Sequence, residues 1–423
     1  HASREAARLD LGIDMATGTG WPFGGPLVDS THGSHTLTLQ NGRLSGKPTG
    51  MKVKRAAPGG EGLVLDPYST AALEMYLQPF SRAFQQFPRV RLRGQFHDSF
   101  EYYGASWTST LPQVFARMHG YDIQTYAAQL LGERSLDADT LARIKSDYRE
   151  TLARMHLDYL RAWVSWSHAR GFIARNQSHG APANLLDLYG AVDIPETESF
   201  GSSAFPVAGL RRDPADVRTD HTPPHPMVYR MASSAAHVMG HSLVSSETGT
   251  WLREHWKESP AAAKPQIDQL FTAGINHIFH HGTVYTPSNV AWPGWYFYAS
   301  TQLSVTNPLW QDFATLNAYV ARVQSILQSG RPDNEVLLYW PFGDVLDNPG
   351  GLVHQYGVEN ARWLLDSSAG RLAAHLEATG YGFDFISDDQ LLQTRFERGE
   401  LHTPGNRYRA IRVPATRRMP LGT

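Results

Sequence analysis

The stretch "TLARIKSDYRETLARMHLDYLRAWVSWSHARGFIARNQ", Thr140 to Gln177, decides how this chain is to be read. Its apolar positions Leu141, Ile144, Tyr148, Leu152, Met155, Tyr159, Trp163 and Trp166 step by three or four, which predicts one long helix with an apolar face. Asp137 or Asp139 can cap its start, and Gly171 suits a left-handed residue past its end. The β-rich "FIARNQ" follows at once, so a helix feeds directly into a strand, as in sheets of parallel strands joined by crossover helices.

The same alternation runs outward in both directions. Strands are expected at "LDLGID", "GLVLD", "RVRLRGQF", "FIARNQ", "AVDIPE", "HSLVSSE" and "INHIFHHG", with the poorly patterned "GWYFYAS" as an eighth. The helical "NPLWQDFATLNAYVARVQSILQSG" closes the set before the turn-rich "RPDN". Seven or eight strand–helix units over residues 1–332 predict a (β/α)8 barrel of the TIM type with long loops. A doubly wound sheet is the competitor, but no GxGxxG follows a first strand. After Asn334 the pattern restarts with "EVLLYWPF", "LAAHLEATGYG", "FDFIS" and "YRAIRVP". Residues 333–423 thus look like the start of a smaller α/β domain cut at the C-terminus. The Pro-rich run from Arg211 to Pro226 reads as a loop.

The 423 residues exceed what one core usually holds, about 250–300, which also favours a large domain plus a smaller one. A hydrophobic content of 41% with 11% aromatics suits a well-buried core. A formal net charge of −2 argues against nucleic acid as the main partner, and no apolar run of about 18 residues marks a membrane span. The absence of Cys removes disulfides, thiolate nucleophiles and Cys-type metal sites. No signal peptide is visible, and both ends read as cuts from something longer.

In a barrel the chemistry sits at the carboxyl ends of the strands. "RVRLRGQF" is followed by His97, Asp98, Ser99, Phe100 and Glu101. "FIARNQ" is followed by Ser178 and His179, with Arg175 and Gln177 on the strand itself. "AVDIP" leads to Glu196 and Glu198, "HSLVSS" to Glu247, and "INHIF" to His280 and His281, which face opposite ways if still in a strand. Carboxylates among aromatic rings are what acetal hydrolysis needs: one acid keeps its proton while the other stays ionised. Trp107, Trp292 and Trp295 offer flat faces to a sugar, and Arg, Gln and His can bind its hydroxyls. Each residue also has a plainer reading. Glu196 follows Pro195 and suits a solvated loop or helix start, Glu101 could pair with Arg93, and Glu247 could sit in an ordinary turn. The glycine-rich "MATGTGWPFGGP" lacks the GK[ST] of a phosphate loop, so Trp21 and Phe23 are expected to wall a pocket.

Together, "LGIDMATGTGWPFGGP", "RGQFHDSFEYYGASWTSTLPQVFARMHGYD", "ARNQSHGAP", "DIPETESF" and "GINHIFHHGTVYTP…PGW" resemble the bacterial alpha-L-rhamnosidases of glycoside hydrolase family 106. The resemblance runs from about residue 9 to residue 420 and rests on the order and spacing of the motifs. It implies hydrolysis of terminal alpha-L-rhamnosyl groups with inversion, and a calcium ion in the sugar pocket. It further implies Glu101 as the acid and one of Glu198 and Glu247 as the base, here taken as Glu247 with Glu198 as a required partner, and Asp98 is the residue singled out as a calcium ligand. Asp98, Trp107, Arg175, Gln177, His179, His281 and Trp295 are the expected sugar contacts. The expected partner is a rhamnose-containing glycan or glycoside, met in a periplasmic or secreted setting rather than a cytoplasmic one. Two departures stand out: relatives are usually longer, and Phe100 stands where many carry Trp. The rival readings are a beta-galactosidase-like barrel glycosidase, a non-catalytic carbohydrate-binding barrel, and a metal-dependent hydrolase using His179, His280 or His281.

Overall fold

The computed structural model describes residues 1–87, 90–200, 224–252 and 256–423. The expected loop at 211–226 lies, up to residue 223, outside the described residues. The chain forms two compact units. One is His1–Asp193 with Pro341–Tyr356 and Thr416–Thr423, and the other is Ile194–Trp340 with Gly357–Ala415.

The first unit carries strand β1 (Asp14–Ala16), a hairpin of β2 (His35–Gln40) and β3 (Arg43–Pro48), helix α1 (Thr70–Gln86), β4 (Gly94–His97), α2 (Leu111–His119), α3 (Ala138–His168) and β5 (Ile173–Gln177). Strands β1, β4 and β5 are parallel neighbours in that order, with Asp14 beside Gly94 and Gly94 beside Ile173. Helix α3 is the helix expected from the sequence. Asp137 accepts a hydrogen bond from the Thr140 amide at 2.8 Å, and Gly171 takes φ 74° past its end. Its Tyr148, Leu152, Tyr159 and Trp163 are wholly buried. Tyr159 and Trp163 seat the end of β4: His97 Nε2 lies 3.3 Å from the Tyr159 hydroxyl, and its ring is 5.5 Å from that of Trp163.

The second unit carries β6 (Ile194–Phe200), α4 (Pro226–Met239), β7 (Ser245–Thr250), α5 (Pro260–Thr272), β8 (His277–His280) and α6 (Trp310–Ser329). Strands β6, β7 and β8 are again parallel neighbours in order. A second parallel sheet places β9 (Val336–Tyr339) between β10 (Phe383–Ile386) and β11 (Ala410–Arg412), with α7 (Ser368–Ala378) connecting β9 towards β10. These are the strands and the helix expected after Asn334.

Among the described residues, the strand count differs from the expected eight. In "GLVLD" only Leu63–Val64 is extended, and it pairs antiparallel with Gly24–Gly25. "GWYFYAS" forms no strand. Its aromatic run satisfies β-propensity, but its backbone is bound by side chains, as described below. The hairpin was missed although "QNGR" carries an Asn-Gly turn signal: Asn41 and Gly42 take φ 52° and 74°, the mirror-image turn that a two-residue hairpin needs. The fold is therefore mixed α/β with parallel strands joined by helices.

Candidate active site

In the first unit, β4 and β5 deliver two of the singled-out motifs to one place. The Phe100 amide donates to the His179 carbonyl at 3.1 Å, and Asn176 Nδ2 donates to the His97 carbonyl at 2.9 Å. A Cβ on Gly180 would meet the Phe100 carbonyl oxygen at 2.2 Å, and Gly180 has φ 84°, so only glycine allows this approach. Glu101 then faces Lys54, whose ammonium forms an ion pair with Glu101 Oε2 and lies 5.0 Å from the centre of the Tyr103 ring. Ser99 Oγ and the Tyr103 hydroxyl donate to the same carboxylate, each at 3.3 Å. The pairing with Arg93 weighed for Glu101 is not formed. Arg93 binds Asp14, which also accepts from Arg175 Nε at 3.0 Å. Those two guanidinium groups outweigh the effect of burial and hold the Asp14 carboxyl below its ordinary range.

Arg175 also lies over the Phe96 ring, 4.0 Å from its centre, so its head group is engaged within the frame. Gln177 and His179 are buried at the end of β5 and just beyond it. Trp107 is buried against the hairpin, where a Cβ on Gly46 would meet its indole at 2.3 Å. Phe23, expected to wall a pocket, is buried and stacks on His97 at 4.6 Å. Asp98 Oδ1 accepts from the Ser99 amide at 2.7 Å. A carboxylate can give calcium one or two of the six to eight oxygens it takes. Among the described residues, the one group of three carboxylate or histidine side chains within metal-ligating reach is His119, Asp147 and Glu150, which does not include Asp98.

In the second unit, Glu198 and Glu247 are brought together. They are register partners on β6 and β7, and the single hydroxyl of Thr250 lies 2.9 Å from Glu198 Oε1 and 3.1 Å from Glu247 Oε1. Nothing in the sequence reading pointed to Thr250. In a regular strand, positions 247 and 250 face opposite sides. The ladder slips between Ser199 and Phe200, so Phe200 pairs with Thr250 rather than Gly249, and Gly249 takes φ 87°. This bulge turns Thr250 onto the side of the carboxylates. Glu196 is not in a solvated loop. It is buried within β6 and accepts from Ser245 Oγ at 2.6 Å.

The two histidines diverge as their adjacency predicts. His280 Nε2 meets Asn317 Oδ1 at 2.8 Å, whereas His281 turns to the carboxylates, with Nε2 3.7 Å from Glu247 Oε1. Its Nδ1 lies 2.9 Å from the Ala299 carbonyl, and burial pushes its pKa down, partly offset by that carbonyl. Trp295 is half exposed on the loop after β8. Lys54, Asp14 and Thr250 are the site neighbours the sequence reading missed; only Asp14, at the end of "LGID", carried a signal in its position.

The alternation of parallel strands and helices, with acids at strand ends, defines an α/β class of protein, and sequence comparison makes it specific. Residues 40–423 match the model of glycoside hydrolase family 106, alpha-L-rhamnosidase, and the chain belongs to that family. A curated relative from Formosa agariphila, named "Putative beta-glucuronidase", is 26% identical over 379 residues, which are 88% of this chain and 29% of the relative. Among solved structures, a rhamnosidase from Novosphingobium sp. PP1Y superposes with a TM-score of 0.65 at 20% identity, over 86% of this chain and 33% of that one. The beta-galactosidase of Halorubrum lacusprofundi superposes at 0.55 with 12% identity, covering 91% of this chain and 58% of that one. The chain spans about a third of the length of the rhamnosidase and of the curated relative. At such identities the superpositions speak for a barrel-glycosidase type of fold.

Proposed function

We propose that this chain carries the catalytic centre of an inverting glycosidase that removes terminal alpha-L-rhamnosyl groups from glycans or glycosides. The observation that carries the reading is the pairing of Glu198 and Glu247 on adjacent strands through the Thr250 hydroxyl, in a member of the alpha-L-rhamnosidase family. In this reading Glu247 takes a proton from water as the water oxygen bonds to the anomeric carbon. The glycosidic C–O bond breaks, and Glu101 passes its proton to the departing oxygen. Glu198 fixes Glu247 through Thr250. Inversion requires the acid and base carboxyl groups to stand roughly 6.5–9.5 Å apart, with the water between base and sugar. The Lys54 contact must open for Glu101 to act as acid.

Asp98, Gln177, His179, His281 and Trp295 are the proposed sugar contacts, while Arg175 and Trp107, also expected as contacts, are engaged within the first unit. Residues 1–332 are proposed as a (β/α)8 barrel and residues 333–423 as the start of the next domain. A calcium ion in the sugar pocket is part of this proposal and rests on family membership. A periplasmic or secreted setting suits a glycan substrate. The second reading, a barrel glycosidase of other specificity, is favoured by the name of the curated relative.

Proton NMR of aryl alpha-L-rhamnoside hydrolysis tests substrate and stereochemistry together. The beta anomer of rhamnose is expected first. Release of the alpha anomer first would overturn inversion, and turnover of an aryl beta-glucuronide alone would establish the second reading.

A further inference from the structure

A long uncharged stretch follows β8. From Gly282 to Gln311 the chain has no Asp, Glu, Lys, Arg or His. Within it, five aromatic side chains lie open to solvent: Tyr285 is 80% exposed, Trp292 72%, Trp295 51%, Tyr296 53% and Tyr298 42%. Between residues 285 and 298 these are all of the exposed large apolar side chains.

The rings stand on a fixed frame. Buried Gln302, held at φ 54°, donates from Nε2 to the Phe297 carbonyl at 2.6 Å and accepts from the Phe297 amide at 3.1 Å. Ser300 Oγ donates to the Gly282 carbonyl at 2.9 Å and accepts from the Gly282 amide at 2.6 Å. Thr286 Oγ1 accepts from the Trp295 amide at 3.1 Å. Backbone groups that would otherwise need water are thus satisfied from beneath, which leaves the rings presented outward at little further ordering cost. The frame is continuous with the carboxylates. The Phe297 ring lies 4.6 Å from that of His281, whose Nε2 is 3.7 Å from Glu247, and exposed Tyr296 and Tyr298 flank Phe297.

Resting on the glycosidase reading above, we propose that residues 285–298 form a platform for an extended neutral saccharide, which runs outward from the carboxylate pair. Aromatic faces suit the C–H faces of pyranose rings, and the Thr, Ser and Asn side chains between them suit hydroxyls. The lack of charge within residues 282–311 themselves selects among ligands. A uronic acid would call for Arg or Lys at its carboxylate, a nucleic acid for clustered cations, and an anionic membrane surface for a basic flank. Protein-docking patches combine Arg with their aromatic rings. The substrate this platform fits is therefore a neutral oligosaccharide or polysaccharide, not a glucuronide-rich one and not a small glycoside alone.

Calorimetry on the full chain carrying Glu247→Gln, so that turnover does not intrude, provides the test. The probes are methyl alpha-L-rhamnoside, a neutral rhamnose-terminated tetrasaccharide, and a tetrasaccharide of equal length with inner glucuronic acid units. The neutral tetrasaccharide is expected to bind about tenfold or more tighter than the methyl glycoside, the range of one truncated aromatic anchor. Tyr285→Ala with Trp292→Ala should abolish that advantage, while Tyr285→Phe with Trp292→Phe, which keeps the rings, should retain it. Equal affinity for the tetrasaccharide and the methyl glycoside, equal or tighter binding of the uronic acid probe, or an unchanged advantage in the double Ala variant would each overturn the platform. Because binding is read without turnover, tight neutral-glycan binding by a chain that hydrolyses no rhamnoside would sink the proposed reaction and leave the platform standing.

Discussion

Thr250 shows how one residue can matter without any mark in the sequence. Its hydroxyl has one proton and two carboxylate neighbours, so it donates to one at a time and ties their positions together. A hydrogen bond to a charged group contributes about 1.5–3 kcal/mol, or roughly 10–100-fold in rate if it is held through the transition state. Thr250→Val should lower kcat on an aryl rhamnoside by about that factor, and Thr250→Ser should restore most of it. Steady-state kinetics of the two variants decide the matter, since a Val variant as active as the Ser variant would show the hydroxyl to be idle. Glu198 and Glu247 were legible because acids at strand ends are costly to bury without a use. Thr250 was not, because a bulge changed which side it faces.

At the scale of elements, helix α3 was legible from end to end, since its period, its Asp137 cap and its closing glycine all agreed. What α3 holds was not. Buried Arg149 sends all five of its N–H donors to backbone carbonyls of one loop: Nε to Leu352 at 3.2 Å, one terminal nitrogen to Leu346 and Asn348 at 2.6 Å each, and the other to Gly350 and Gly351 at 2.8 Å each. The loop lies about two hundred positions further along the chain, so no local pattern could announce it. Lysine has only three donors and would leave at least two carbonyls without their partner. Arg149→Lys should therefore cost about 2–4 kcal/mol in denaturant unfolding and open residues 346–352 to proteolysis. A variant within about 0.5 kcal/mol of the parent would mean that water replaces the clamp readily.

For the whole molecule, burial sets the response to acid. His97 and His156 are pushed down to about 4 by burial, against an ordinary value near 6.5. Between those values the unfolded chain binds protons that the folded one refuses, so stability falls as pH falls through this window. Asp66 works in the opposite direction. Burial pushes it up to about 7, so the folded chain keeps a proton the unfolded chain has lost. Buried Glu258, also pushed up, acts with Asp66, but burial lowers His225, His280, His281 and His354 as well, so the groups that refuse protons outnumber those that keep them. The urea midpoint should drop between pH 6.5 and pH 4.5, and a midpoint that rises on acidification would contradict these burials. The sequence by itself determined the kind of fold, the α3–β5 unit, the parallel α/β restart after Asn334 and the three carboxylates, because periodicity, caps and strand-end polarity are local. Only the tertiary structure decided that Lys54 meets Glu101, that Arg175 is held by Asp14, that a bulge seats Thr250 between Glu198 and Glu247, and that "GWYFYAS" is a bound loop instead of a strand. Those outcomes depend on which distant groups satisfy each buried polar atom, and that competition is settled only when the whole chain is packed.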